Sequence, residues 1–264
     1  MSESIFIADG DRFVPTEHAR GPWDPRALHG GAPAALITAA FERLQPGAEL
    51  PIGRLSFELL RPVPMAPLTL QTRIVRAGRR VQELAAELLA DGETIARAAA
   101  LRVQAVPDEA ASAAAPVAEL SRPMPPVADF APLDFALDGS SQASFAATAM
   151  EMRAGEDATR LGPARVWMRL RHPLLPREPL TPLARLAATA DFGNGISAAL
   201  PFDRFLFINA DLTVHLLRRP VGEWIGLDAC TRLLAGGTGV AESVLHDGHG
   251  AVGRAFQTLV VQAR

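Results

Sequence analysis

The chain has 264 residues with 26 Lys and Arg against 29 Asp and Glu, a formal charge of -3 at pH 7. It shows no dense basic run, which disfavours a nucleic-acid partner. One cysteine, Cys230, excludes an intrachain disulfide, and the opening Met1-Ser2-Glu3-Ser4 lacks the basic and apolar regions of a signal peptide. The apolar stretches fall far short of the roughly 18 residues needed to cross a bilayer, so a cytoplasmic protein without a membrane span is expected.

Taken in chain order, a short strand is expected at Ile5 to Ala8. Leu36, Ile37, Ala40, Phe41 and Leu44 then recur at helical spacing, predicting an amphipathic helix from Pro33 to Leu44, entered through Gly30-Gly31 and stopped by Pro46-Gly47. Leu55, Phe57 and Leu59 alternate with Ser56 and Glu58, as a strand with one buried face requires. Strands follow at Leu68 to Val75, Val81 to Leu89 and Ile95 to Val103, with Asp91-Gly92 turning the last hairpin. From residue 107 to 138 Ala, Pro, Ser and acids dominate, and Pro123, Pro125 and Pro126 block helix and sheet alike. This reads as a linker over the surface, between one domain at 1–106 and a second at 139–264. The second half should carry strands at Phe145 to Met152 and Val166 to Leu170, then a helix at Leu183 to Asp191. Strands near Leu212 to Leu217, Trp224 to Leu234, Val240 to Leu245 and Val252 to Val261 follow it. One helix per antiparallel sheet is an α+β layout.

The two halves read as one unit written twice. Leu55-Ser56-Phe57-Glu58-Leu59-Leu60-Arg61-Pro62 is echoed by Leu212-Thr213-Val214-His215-Leu216-Leu217-Arg218-Arg219-Pro220, and Asp91-Gly92 by Asp247-Gly248. A period this long indicates tandem domains, because solenoid repeats recur every few tens of residues.

Helix, then meander, twice over, resembles the tandem (double) hot dog of TesB-type acyl-CoA thioesterases. The residues that carry the resemblance are Gly21-Pro22-Trp23-Asp24-Pro25, Leu28-His29-Gly30-Gly31, Asn209-Ala210-Asp211-Leu212-Thr213 through Arg219-Pro220, Glu223-Trp224, and Gly253-Arg254-Ala255-Phe256-Gln257. It covers nearly the whole chain apart from the linker. The resemblance implies two antiparallel sheets, each wrapping one central helix, aligned edge to edge into one continuous sheet. It implies hydrolysis of an acyl-CoA thioester by water that an aspartate, a hydroxyl and a glutamine hold and activate. Carried over by position, these are Asp211, Thr231 and Gln257, the hydroxyl's alignment being open to a slip onto Arg232. The substrate would be a small-molecule acyl-CoA, with no cofactor beyond its coenzyme A, and further association into a homo-oligomer is expected.

The chemistry suits those residue types. A thioester carbonyl is electrophilic, so a carboxylate to deprotonate water and donors for the developing oxyanion suffice. His29, Gly30 and Gly31 are candidate substrate-binding residues: the glycines bare backbone N–H groups at a helix N-terminus, which favours negative charge. The same glycines equally permit a tight turn and close packing, and His29 equally serves to bond a backbone group. The positions matching Asp211 and Gln257 in the first half are Arg54 and Leu101, so one site per chain is expected. Asp211 alone would also read as a strand-opening cap. It is out of phase with buried-face Leu212, Val214 and Leu216, so reaching a site would take a bulge.

Other candidates carry less. Cys230 lies in the apolar run Leu227 to Leu233 with no flanking base and reads as an inert core residue. His172, His215, His246 and His249 lack metal-ligand spacing, so no metal is expected. The turn Arg76-Ala77-Gly78-Arg79-Arg80 is either a solvated hairpin or a contact for coenzyme A phosphates. Two rival functions remain. One is a double hot dog acyl-thioester dehydratase or hydratase, which pairs a His of one half with an Asp of the other. The second is an acyl-CoA-binding protein without turnover.

Overall fold

The computed structural model describes residues 4–45, 50–114, 123–134, 143–155, 158 and 160–264. Residues 1–3, the expected Pro46-Gly47 helix stop and the linker residues 115–122 and 135–138 lie outside the described residues. The first half contains β1 (Phe6–Asp9), β2 (Arg12–Pro15), α1 (Gly31–Arg43), β3 (Ile52–Leu59), β4 (Leu68–Ala77), β5 (Val81–Ala90) and β6 (Glu93–Val103). A short α2 (Asp108–Ser112) and β7 (Ala131–Pro132) follow. The second half contains β8 (Met150–Ala154), β9 (Ala164–Leu170), α3 (Pro182–Ala190), α4 (Gly193–Ile196), β10 (Phe205–Asn209), β11 (Asp211–Leu216), β12 (Ile225–Arg232), β13 (Gly239–Asp247) and β14 (Gly250–Ala263).

As expected, the two sheets run edge to edge into one continuous sheet, which among the described residues has 14 strands, β1-β2-β4-β5-β6-β3-β11-β14-β13-β12-β9-β8-β7, with β10 added on β14. The two halves join where β3 pairs antiparallel with β11. Leu55 faces Val214 and Phe57 faces Leu212. In the repeat, Leu55 corresponds to Leu212 and Phe57 to Val214, so exchanging the halves maps one pair onto the other. That is a local two-fold axis at the seam, and joining there covers both strand edges. All four side chains are buried on the face that carries the helices.

α1 and α3 pack on each other as well as on the sheet, so α1 is buried all round from Gly31 to Thr38 rather than along one stripe. Their crossing is close. A Cβ on Gly31 would stand 2.5 Å from the Ala188 carbonyl oxygen and 2.9 Å from the Phe145 ring. Thr181 caps α3 by accepting from Ala184 N–H, and Arg102 closes α1 by donating to the Phe41 and Leu44 carbonyls. The Asp91-Gly92 turn has φ of 48° and 80°, the left-handed pair of a two-residue hairpin.

Several elements differ from expectation. Phe145 to Ala149 is a π-helical turn rather than the start of a strand. Ser144 caps it, and Phe145 leaves the sheet to pack against Gly31 and His29. β2 and β10 were not anticipated, being four and five residues long. The expected linker does carry local structure: α2 is exposed, β7 pairs with β8, and Trp167 Nε1 donates to the Pro125 carbonyl at 2.9 Å.

Candidate functional site

The loop from Gly21 to Gly30 is drawn tight before α1 begins. Gly21 N–H donates to Ala27 O, Leu28 N–H to Val63 O and His29 N–H to Ala19 O. This sets His29 and Gly30 at the N-terminus of α1, facing the end of α3 from the other half. There stands Asp191, the residue after α3, with only 5 % of its surface exposed. A Cβ on Gly30 would lie 2.8 Å from Asp191 Oδ2. Glycine therefore lets the carboxylate reach the N-terminal end of α1, where the helix dipole favours negative charge.

Donors from both halves hold the carboxylate. His29 Nδ1 is 3.0 Å from Oδ2, and Asn209 Nδ2 donates to Oδ1 at 2.9 Å. Gln257 Nε2 donates to the Asp191 backbone carbonyl at 3.0 Å and lies 3.5 Å from Oδ1. Its Oε1 accepts Asn194 N–H at 2.9 Å, which fixes the orientation of the amide. Gly193 leaves the space for this, since a Cβ there would meet Gln257 Oε1 at 2.8 Å. The His29 ring stacks with Phe145 and Phe192, centroids 5.1 and 4.2 Å away. Gly31 N–H also points at Nδ1, at 3.0 Å. One nitrogen serves one of the two: protonated, Nδ1 donates to Asp191; deprotonated, it accepts from Gly31.

Asp191 forms the floor of a cavity of about 520 Å³ between the halves, a size suited to a small ligand. Its walls are mainly apolar, with Trp23, Leu28, Val63, Leu206, Ile208 and Val260, and its polar lining includes His29, Asn194, Asn209 and Gln262. Arg61, ion-paired with Glu93, lines it as well, and Arg264 lies over the Trp23 ring.

Of the residues singled out from the sequence, His29, Gly30 and Gln257 meet at Asp191. Gly31 instead packs on α3. Thr231 stands behind α4, tied to Ser197 at 2.8 Å. Because Ser197 Oγ gives its proton to the Gly193 carbonyl, Thr231 supplies the proton of that pair.

Asp211 lies elsewhere. Between Asn209 and Thr213 the chain takes four steps against three from Leu259 to Phe256 on β14, so a bulge separates β10 from β11. Asp211 Oδ1 accepts the Thr258 N–H across that bulge at 2.6 Å. The bulge that would bring Asp211 inward is present, yet it turns Asn209 inward. Asp191 was missed because an Asp after an Ala-rich helix looks like an ordinary cap. The signal available was the following Gly193-Asn194-Gly195, glycines crowded where a helix ends.

The Arg76 to Arg80 turn joins β4 to β5 at the far end of the strands from Leu59. At about 3.3 Å per residue this is more than about 20 Å from the cavity, so it does not border the site. Among the described residues no group of three or more His, Cys, Asp and Glu could hold a metal ion, and no helix is long and apolar enough to cross a membrane.

The fold and the residues of both halves agree with family comparison. Residues 19–103 match the acyl-CoA thioesterase N-terminal domain and residues 108–261 the acyl-CoA thioesterase C-terminal domain. The chain belongs to this family and is a thioester hydrolase. A hot dog fold protein of Alicyclobacillus acidocaldarius is 17 % identical, with TM-score 0.71 over 98 % of this chain and 95 % of its own. A candidate thioesterase II of Thermobifida fusca is 18 % identical, with TM-score 0.74 over 98 % and 96 %. The acyl-CoA thioesterase II TesB2 of Mycobacterium marinum is 17 % identical, with TM-score 0.61 over 91 % of each chain. No curated protein sequence matches significantly.

Proposed function

We propose that the protein hydrolyses an acyl-CoA thioester with water activated by Asp191, in place of the Asp211 first read from the sequence. The observation that carries this is a buried carboxylate at the floor of an apolar cavity, oriented by His29, Asn209 and Gln257. Water in the cavity gives a proton to Asp191 while its oxygen bonds to the thioester carbon. The tetrahedral intermediate then breaks its C–S bond, and the leaving thiolate takes a proton from Asp191 or from His29. Gln257 and Asn194 hold the base in place, while Thr231 steadies the α4 turn through Ser197. Pantetheine would leave through the cavity mouth, where Arg61 and Arg264 can meet phosphates. No cofactor is required beyond the substrate's own coenzyme A.

The test is thiol release by Asp191→Asn and Asp211→Asn side by side. Asp191→Asn should lower kcat by about 10²- to 10⁴-fold, the usual worth of a general base, with substrate binding retained. Asp211→Asn should keep turnover within about three-fold of the parent, because its carboxylate serves a strand N–H whose loss costs about 1 kcal/mol of stability. The reverse ranking would restore Asp211 as the base.

A second reading has one observation in its favour, the 3.0 Å approach of His29 from one half to Asp191 from the other. Such a pair also suits hydration or dehydration of an acyl thioester. A change in enoyl absorbance without free thiol would select it.

We also propose a cytoplasmic homo-oligomer. Val240 and Phe256 lie on the outer face of neighbouring strands and are exposed, apolar surface that suits self-association. Light scattering at the mass of one chain would refute it.

A further inference from the structure

Two voids meet at Asp191. Besides the open cavity there is a narrow slot of about 10 Å³, and the two share Gly30, Leu59 and Asp191 as walls. The slot follows one face of α1, since Gly30, Pro33, Ala34 and Ile37 fall at i, i+3, i+4 and i+7. On the sheet side Phe57, Ala96 and Leu212 close it. Near the carboxylate the helix residues are small. About 10 Å further along, at about 1.5 Å per helical residue, Ile37 is 1 % exposed. Phe57, two residues back along β3 from Leu59, is 2 % exposed.

A thioester sends two arms from its carbonyl, the acyl chain and the thiol carrier. The pantetheine arm carries amides and ends in phosphates, so it needs polar partners and a path to water. Only the open cavity, with Asn194 and Gln262 on its wall and Arg61 beside them, supplies these. The slot is apolar beyond Asp191. We propose that it receives the acyl tail, and that Ile37 and Phe57 form an end wall that restricts the enzyme to acyl groups of about two carbons. The free space is about that of a single water-sized group, enough for a terminal methyl and too little for a medium chain. This assignment rests on the thioester hydrolase reading above.

The experiment runs an acyl-CoA series from acetyl to palmitoyl with two readouts, thiol release for the esters and calorimetric Kd for the matching non-hydrolysable thioethers. In the parent, kcat/KM for butyryl should be at least about ten-fold below that for acetyl, since even one surplus methylene in a filled pocket costs about ten-fold or more. Ile37→Ala should raise the octanoyl-to-acetyl ratio by about ten-fold. Phe57→Leu, which leaves a smaller hole, should shift it the same way with less risk to folding. A parent that prefers butyryl or longer esters would overturn the proposal and place the acyl group in the open cavity. Unchanged ratios in both folded variants would overturn it as well. Should folded parent hydrolyse no ester, the hydrolase reading fails while the Kd series still decides the slot: tighter short thioethers sustain it, tighter long ones overturn it.

Discussion

Gln257 shows how one side chain can be legible in kind and hidden in role. A Gln on a late strand with Leu101 at the matching place in the first half marks an asymmetry, and the structure puts it beside the buried Asp191. Both ends of its amide are engaged, by the Asp191 carbonyl and by Asn194 N–H, and it is 2 % exposed. In the proposed mechanism it holds the base rather than meeting bulk substrate. Gln257→Ala should lower kcat by up to about 10²-fold through misplacement of Asp191 and leave KM within a few-fold. Thr231→Val, which loses only the hydroxyl given to Ser197, should lower Tm more clearly than kcat. Stopped-flow thiol release and a thermal melt on the same samples check both, and a larger kcat loss for Thr231→Val than for Gln257→Ala would reverse the two roles. The orientation of Asp211 could not be read from the sequence for a physical reason. Strand phase can be read from alternating apolar residues, but a bulge depends on which partner strand supplies the extra step, and one sequence does not encode that register.

At the scale of elements, the glycines before α1 were readable as a helix entry, and the structure shows what each is for. Gly30 admits a carboxylate and Gly31 admits α3. The repeat likewise located Asp247 as the counterpart of Asp91, yet the two do different work. Asp91 sits at φ 48° in an exposed turn, whereas Asp247 is buried and receives both guanidinium nitrogens of Arg218 at 2.6 Å. It also accepts Val221 and His249 N–H, so one carboxylate ties the β11–β12 connection to the β13–β14 turn. Burial pushes its pKa up, but the Arg218 bonds and the two backbone N–H groups outweigh burial and hold the carboxyl below its usual value. A depressed carboxyl stabilises the fold above its unfolded pKa and loses that contribution as pH falls through the folded value. Asp247→Asn should therefore cost roughly 1–3 kcal/mol at pH 7, with the gap from the parent narrowing below about pH 4. Parallel melts at pH 7, 5 and 3 test this, and a gap that is constant with pH would rule out the ionic origin.

For the whole molecule, the internal repeat made tandem units legible, together with most strands, because period and alternation survive in Leu55, Phe57, Leu212 and Val214. The continuous sheet was expected, but the residues that the seam brings together were not. β3 and β11 pair through five residues from Arg54 to Glu58, α1 crosses α3, and the site takes His29 and Gly30 from one half with Asp191, Asn209 and Gln257 from the other. Each half alone would leave a long strand edge and an apolar helix face in water. Breaking the seam should therefore unfold both halves together rather than release two stable domains. A calorimetric scan should show one transition with equal van't Hoff and calorimetric enthalpies. The fluorescence of Trp23, which reports on the first half, should move in step with that of Trp167 and Trp224 in the second when single-Trp variants are compared. Leu212→Asp places a charge opposite Phe57 at the buried seam, and its loss of stability should appear equally in both signals. Two resolved transitions, or a seam variant that melts only one half, would show that the halves are independent domains held together merely by the chain.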